Sequence, residues 1–340
     1  MITRYVNMGS TPGGNGTTDA TAGASRAYAS LSEAIAAFHG TDPGDAVTII
    51  VRRGAGGKDT TGIFQPNVVT SATRIFRIDA HADDRATPLW DDAKYILEVT
   101  NGHGFYNNTI NYLELVGLQV HVIETDTGSW EGVKLTNQNQ HATDVLNVID
   151  RCYVRNTRTT GNTTGIDLGG ADVATRIGIA RNCVVQGFST GVVGACGVNS
   201  RAVNVSAVRN RYNYIGDFAG LRLQNCLSAQ PIDLGFALAA VTGSSHNAAD
   251  DGSTAPGANS HNSQTFAFVD PDGPDWHLLE ADAGARGLGL ADPLNGEDGA
   301  FTHDMDGVER TEPWDIGADQ YIAAASGTPT SYYDRMRRVA

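Results

Sequence analysis

From residue 47 to residue 229 the chain alternates short apolar runs with polar breaks. VTIIVRR (Val47 to Arg53), RIFRIDA (Arg74 to Ala80), YILEVT (Tyr95 to Thr100) and YLELVGLQVHV (Tyr112 to Val122) are followed by GVKLT, VLNVIDRCYV, GIDLGG, RIGIARNCVV, RAVNVSAVRN and LRLQNCLSA. Each run is rich in β-branched residues and is bounded by Gly, Asn, Asp or Thr, which predicts a β-strand. One segment has the other period. In YASLSEAIAAFHG, Leu31, Ala34, Ile35 and Phe38 fall on one face, Ser30 and Glu33 form a capping-box pair, and Gly40 stands where a C-terminal cap belongs. A helix over 31–39 follows.

The polar breaks are too short and too Gly-rich to hold crossover helices, which excludes a doubly wound sheet. An antiparallel sandwich and a parallel solenoid remain. Tight two-residue hairpins should mark the sandwich, yet between residues 47 and 229 Asn-Gly occurs only at Asn101-Gly102. Internal similarity favours the solenoid. GIARNCVVQG (Gly178 to Gly187) has near-copies in VIDRCYVRN (Val148 to Asn156) and GLRLQNCLSA (Gly220 to Ala229), each with a cysteine after a polar residue and before apolar ones. Anchoring on Leu118, Cys152, Cys183, Ala207 and Cys226 gives spacings of 34, 31, 24 and 19 residues, as expected for coils carrying loops of variable length. Equivalent side chains of coils stacked about 4.8 Å apart lie over one another. Leu118, Cys152, Cys183 and Cys226 are therefore expected in an internal stack, with the preceding Asn or Arg in the turn, where an asparagine amide can pair between coils.

A solenoid exposes raw sheet edges at its ends and must cover them. The expected organisation is an N-terminal cap over 1–45 with the helix at 31–39, β-helix coils over 46–240, acidic C-terminal coils and a loop-rich cap over 241–321, and a basic docking tail over 322–340.

Charge sharpens this division. The chain of 340 residues has a formal net charge of −14, and Val241 to Gln320 alone holds sixteen acidic residues against Arg286 and Arg310. Such a segment repels phosphate backbones and anionic bilayers, so neither nucleic acid nor membrane is expected as a partner. No window approaches a membrane span, and MITRYVNMGS lacks the apolar stretch of a secretory signal, so assembly in a cytoplasm is expected. The four cysteines, Cys152, Cys183, Cys196 and Cys226, show no CxxC spacing and are expected as free thiols.

YVNMGSTPGGNGTTDATAGASRAYASLSEAIAA (Tyr5 to Ala37) resembles the opening of pectate-lyase-like right-handed parallel β-helix proteins. DMDGVERTEPWDIGADQY (Asp304 to Tyr321) is similar to the ending of their choice-of-anchor-Q branch, with its Asp-x-x-Gly-x-x-Arg and Asp-Ile-Gly-Ala elements. DWHLLEADAGARGLGL (Asp275 to Leu290) resembles the Phe-His-Leu element that precedes it, with the second half degraded. The resemblance implies an all-β fold, a right-handed single-stranded parallel β-helix. It implies no single activity, because the architecture carries lyases, hydrolases, adhesins and phage proteins.

The candidate chemistry is sparse. DPDGPD and DMDG place Asp270 with Asp272 and Asp304 with Asp306 before a glycine turn, which suits calcium or Asx turns capping a terminal coil. Arg310 and Asp315 read as a structural ion pair. The coil acids Glu98, Glu114, Asp150, Asp167 and Asp217, with Arg151, Arg155 and Arg181 nearby, do not align along the runs, so solvated faces are expected and no catalytic residue is assigned. The histidines lack paired metal spacing, and no GxSxG elbow or phosphate loop occurs. After Tyr321 the chain turns basic and aromatic, and Tyr332, Tyr333, Arg335, Arg337 and Arg338 have the composition of an interface anchor.

The expected function is a non-enzymatic structural component of a bacteriophage virion: a head decoration, vertex or tail accessory protein, docked by its tail on other virion proteins and assembled as a homo-oligomer such as a trimer. The alternative is a polysaccharide lyase or glycoside hydrolase, including a tailspike-type depolymerase, acting on a surface glycan. Calcium is the one cofactor in view.

Overall fold

The computed structural model describes residues 1–135, 145–158, 161–169, 176–194, 200–216, 221–238, 242–294 and 301–323. Three long sheets, of eight, seven and seven strands, run the length of the chain, and every pairing within them is parallel. Chain order cycles through the sheets, as in Tyr112–Val116, Gln119–Ile123 and Glu131–Leu135, then Val145–Asp150, Tyr153–Asn156 and Thr164–Asp167. Each cycle adds one strand to each sheet, which makes the molecule a right-handed parallel β-helix.

Period-two alternation turns each strand's apolar residues into a column. In the first sheet Ile49, Ile78, Leu115, Ile149, Ala180, Ala202 and Leu223 are in register and buried. The third sheet supplies Ile63, Phe105, Val133, Ile166, Val192, Tyr214 and Phe236. The rings of Tyr214 and Phe236 stack at 4.9 Å and 9°. Because side chains interdigitate only within this repeat, a register slip would turn each column to solvent.

The corner between the first and second sheets explains the repeated cysteines. Arg151, Asn182, Asn204, Asn225 and His246 have φ between 50° and 53°, a left-handed conformation that Asn tolerates and most residues avoid. The residue after each turns inward, so Cys152, Cys183 and Cys226 are buried free thiols. Leu118 precedes its strand at the same register, as expected. Ala207 does not share that position. Its neighbour Val205 does, since Ser206 pairs with Val184 and Leu227, and Ala207 stacks on Val185 inside the second sheet. Ala207 and Val205 are both small, apolar and in one run, so the sequence could not separate them. Cys196 lies outside the described residues. Burial pushes the Cys226 thiol up to about 12 and Cys183 well above the ordinary thiol value, which keeps both protonated. The corner asparagines pair as expected at one step, where Asn225 Nδ2 donates to Asn204 Oδ1 at 3.3 Å.

At the N-terminal end, Leu31–Ala36 is helical, with Ser30 Oγ accepting from Glu33 N at 3.1 Å. Its buried face, Leu31, Ala34 and Ile35, packs on the first coil, and Phe38 meets Phe76 edge-on at 5.9 Å. At the other end two partial coils continue the solenoid through the parallel bridges Gln224–Ser245–Ala258 and Ala248–His261.

The later C-terminal segment sits on the flank, not over the end of the solenoid. Residues 266–294 and 301–321 run back along the outer face of the second sheet. Leu89 bridges Asp275, Trp276 Nε1 donates to Tyr153 Oη at 2.9 Å, and Gly317 N donates to Asn225 O at 2.8 Å. A second apolar cluster fills this junction: Trp90, Ile96, Tyr153, Val184 and Leu227 from the coils, and Phe268, Trp276, Leu278 and Ile316 from the segment. Outward-facing apolar residues on the second sheet are what called for this cover.

Candidate functional site

Among the described residues the third sheet has no such cover. Its outward column, set by register, runs Phe64, Tyr106, Lys134, Asp167, Val193, Ile215 and Ala237. The first four carry chemistry. Phe64 is 63% exposed, an unusual state for a phenylalanine, and its ring stacks on Tyr106 at 5.0 Å and 22°. His103 packs against both rings, 5.8 Å from Phe64 and 5.0 Å from Tyr106, and meets Trp130 edge-on at 5.5 Å. Asp126 fixes Trp130 by accepting from its indole N–H at 2.9 Å.

Beside the rings lies a compact charge network. Lys134 Nζ is 3.0 Å from Glu131 Oε1, 3.1 Å from Asp167 Oδ2 and 5.3 Å from the Tyr106 ring centre. His103 Nδ1 pairs with the other oxygen of Glu131. Burial works against the Glu131 carboxylate, but hydrogen bonds from His103 and Lys134 outweigh it and hold the group below its ordinary value. For Lys134, burial favours the neutral amine, while Asp167 and Glu131 more than compensate and raise its pKa. Glu131 and Lys134 are therefore both charged at neutral pH. The pair can hydrogen-bond hydroxyls, but Glu131 is not a protonated acid there and Lys134 is not a free amine base.

The other coil acids are also neutralised, and on different faces. Glu98 lies against Lys58 at 2.5 Å and His121 at 2.8 Å on the second sheet. On the first sheet Glu114 meets Arg77 at 2.7 Å, and Asp150 meets Arg181 at 3.2 Å and Arg151 at 3.6 Å. Arg155 stacks on Trp90 at 3.7 Å. Asp217 lies outside the described residues. Among the described residues these groups lie on different faces, and Asp150 is buried where a solvated face was expected.

The paired aspartates separate in space. Asp270 Oδ1 accepts from Gly273 N at 2.9 Å and closes a turn, whereas Asp272 reaches out to Arg209 at 3.1 Å. Asp304 is buried, and its two oxygens accept from Val308 N at 2.8 Å and Gln320 N at 3.2 Å. Asp306 instead joins His277 and Asp319, one ligand atom of each lying within 4.8 Å of the others. His277 is held between Asp275 at 2.6 Å and Asp306 at 2.9 Å. Burial disfavours the imidazolium, yet these carboxylates raise its pKa well above the ordinary value. No sequence spacing pairs His277 with Asp306, which lies 29 residues away.

Arg310 and Asp315 do not form the side-chain ion pair read from the sequence. The buried Arg310 guanidinium donates to Ala318 O at 2.9 Å, Gly317 O at 3.0 Å and Asn182 Oδ1 at 3.0 Å. Asp315 accepts from Gly287 N and Tyr321 N, each at 2.7 Å. Both residues hold the flank segment by its backbone. The tail residues Tyr332, Tyr333, Arg335, Arg337 and Arg338 lie outside the described residues.

No known protein family matches the chain by sequence, and no curated relative does. Among solved structures, the chain is similar to the crystal structure of a pectate lyase, with a TM-score of 0.45 and 12% sequence identity over 95% of this chain and 97% of that one.

Proposed function

We propose that the protein is a non-enzymatic structural component of a bacteriophage particle whose third sheet contacts a saccharide. The observation that carries this reading is the union of an exposed aromatic platform, Phe64 with Tyr106, His103 and Trp130, and the ion-paired Glu131–Lys134–Asp167 row beside it. Pyranose rings present apolar C–H faces that stack on aromatic rings, and hydroxyls that hydrogen-bond to carboxylates and ammonium groups. Turnover would need more. Glycoside hydrolysis calls for one carboxyl held protonated, and β-elimination for a neutral base. Glu131 is shifted down and Lys134 up, the opposite of both needs.

Binding to a panel of acidic and neutral polysaccharides, followed by affinity electrophoresis, tests the face. Phe64→Ala with Tyr106→Ala should weaken retention about tenfold. Incubation should release neither reducing ends nor unsaturated uronate; turnover abolished by Glu131→Gln or Lys134→Ala would overturn the non-enzymatic reading.

The place in a particle is tested separately, by mass spectrometry of purified virions for a stoichiometric copy. Deleting Ser331 to Ala340 should leave a folded solenoid that no longer joins its assembly, and unchanged incorporation of the truncated chain would count against docking by the tail.

A further inference from the structure

Where the flank segment meets the coils it closes over a cavity of about 590 Å³, lined by Ala82, Arg85, Ala86, Thr87, Lys94, Arg151, His303, Asp306, Gly307 and Val308. Three elements build it. The loop after the strand Phe76–Ala80 is pinned to the next coil, where Ala86 N donates to Gly117 O at 2.8 Å, and this sets Arg85 on the wall. The corner column supplies Arg151. The turn at 304–308, closed by Asp304 N donating to Val308 O at 2.9 Å, forms the opposite side.

The lining is cationic, although the surrounding segment is the most acidic part of the chain. Arg85 is anchored by Asp79 at 3.1 Å and Ala80 O at 3.3 Å. Lys94 Nζ donates to Asp83 O at 3.2 Å, a single neutral acceptor for three donors. Arg151 has only a 3.6 Å contact from Nε to Asp150, a carboxylate that Arg181 and Asn182 also engage. Against these cations the lining holds one carboxylate, Asp306, which His277 Nε2 engages at 2.9 Å.

Arg151 also stands out within its own corner column. The next three corner positions are Asn182, Asn204 and Asn225, which bear a left-handed φ readily, whereas Arg151 holds φ 53° with a long charged side chain. An asparagine would serve the turn better, whereas the arginine adds a guanidinium that lines the cavity. Gly307 turns with φ 80°, a conformation that favours glycine, and places the backbone of the 304–308 turn beside the Arg151 guanidinium.

We propose that this cavity binds the carboxylate of an acidic sugar, with Arg151 and Lys94 as its principal cations and Arg85 as a third. A planar guanidinium matches a carboxylate through two parallel N–H donors, and the volume accommodates one or two sugar rings. The site is separate from the third-sheet face and stands or falls without it.

Isothermal titration of the full chain with galacturonate, galactose and inorganic phosphate tests the assignment. Galacturonate should bind saturably at millimolar concentration or below, and galactose should not. Arg151→Asn, which suits the corner backbone and should fold at least as well, and Lys94→Gln should each weaken binding about tenfold or more. Preference for phosphate over galacturonate would overturn the sugar assignment. No binding of either anion, or affinity unchanged in both variants, would overturn the site.

Discussion

Arg310→Ala should lower the unfolding free energy by about 3–5 kcal/mol, read as a fall in the urea midpoint, and should expose residues 266–321 to proteolysis before the coils unfold. Arg310 is buried between the flank segment and the corner ladder, where it reaches Asn182 Oδ1 on the solenoid and the carbonyls of Gly317 and Ala318 on the segment. Removing it strands those acceptors away from water, at about 1–3 kcal/mol for each left unsatisfied. It also deletes the positive charge facing Asp304, Asp319 and Asp315. Arg310→Lys should recover only part of the loss, because one ammonium cannot span acceptors that a planar guanidinium reaches together. A midpoint shift corresponding to less than 1 kcal/mol for Arg310→Ala would show that the flank is held by its apolar contacts alone.

The parts of this architecture that were legible in the sequence are those carried by local repetition. The Asn-Cys and Arg-Cys pairs at 151–152, 182–183 and 225–226 recur because each corner needs a left-handed residue followed by a small buried one, a requirement written within two positions. The capping box at Ser30 and Glu33 is equally local. What the sequence did not disclose depends on which coil a loop returns to. Phe64, Tyr106 and Lys134 stand far apart along the chain, in runs that look alike, and only the register of the third sheet sets them in one column. The placing of the flank segment is hidden for the same reason. Its carboxylates read as turn formers or calcium ligands, and two of them, Asp306 and Asp319, acquire His277 as a neighbour only through tertiary packing. One signal was available: apolar residues at outward positions of the second sheet, such as Ile96, Val184 and Leu227, announce a cover, although not its source.

Lowering the pH from 8 to 5 should stabilise this protein, against the usual expectation for an acidic chain. Burial raises Asp304 to about 7, with the fields of Asp306 and Asp319 adding to the shift, and raises Asp319 to about 6 despite the nearby His277. A carboxyl whose pKa is higher folded than unfolded binds more protons in the native state, so its contribution is fully present below about 4 and is lost as the pH rises through its folded value. His277 acts in the same direction. Its folded pKa is raised, so the stability it adds is present below the unfolded imidazole value and lost only above the folded one. His121 and His246 oppose this, since burial lowers both and favours their neutral forms as the pH rises through the unfolded value. Against them, the part of the Asp304 shift that falls between pH 5 and its folded value of about 7 is, at 1.36 kcal/mol per unit, on the order of 3 kcal/mol, so the flank cluster sets the sign. The depressed carboxyls Glu98 and Glu131 titrate below this window and leave it unchanged. Urea midpoints at pH 8, 6.5 and 5 should therefore climb, and Asp304→Asn, which mimics the protonated carboxyl, should flatten most of the slope. Midpoints that fall steadily over the same range would mean that these aspartates are ionised in the folded protein, with a bound cation or solvent supplying the missing charge.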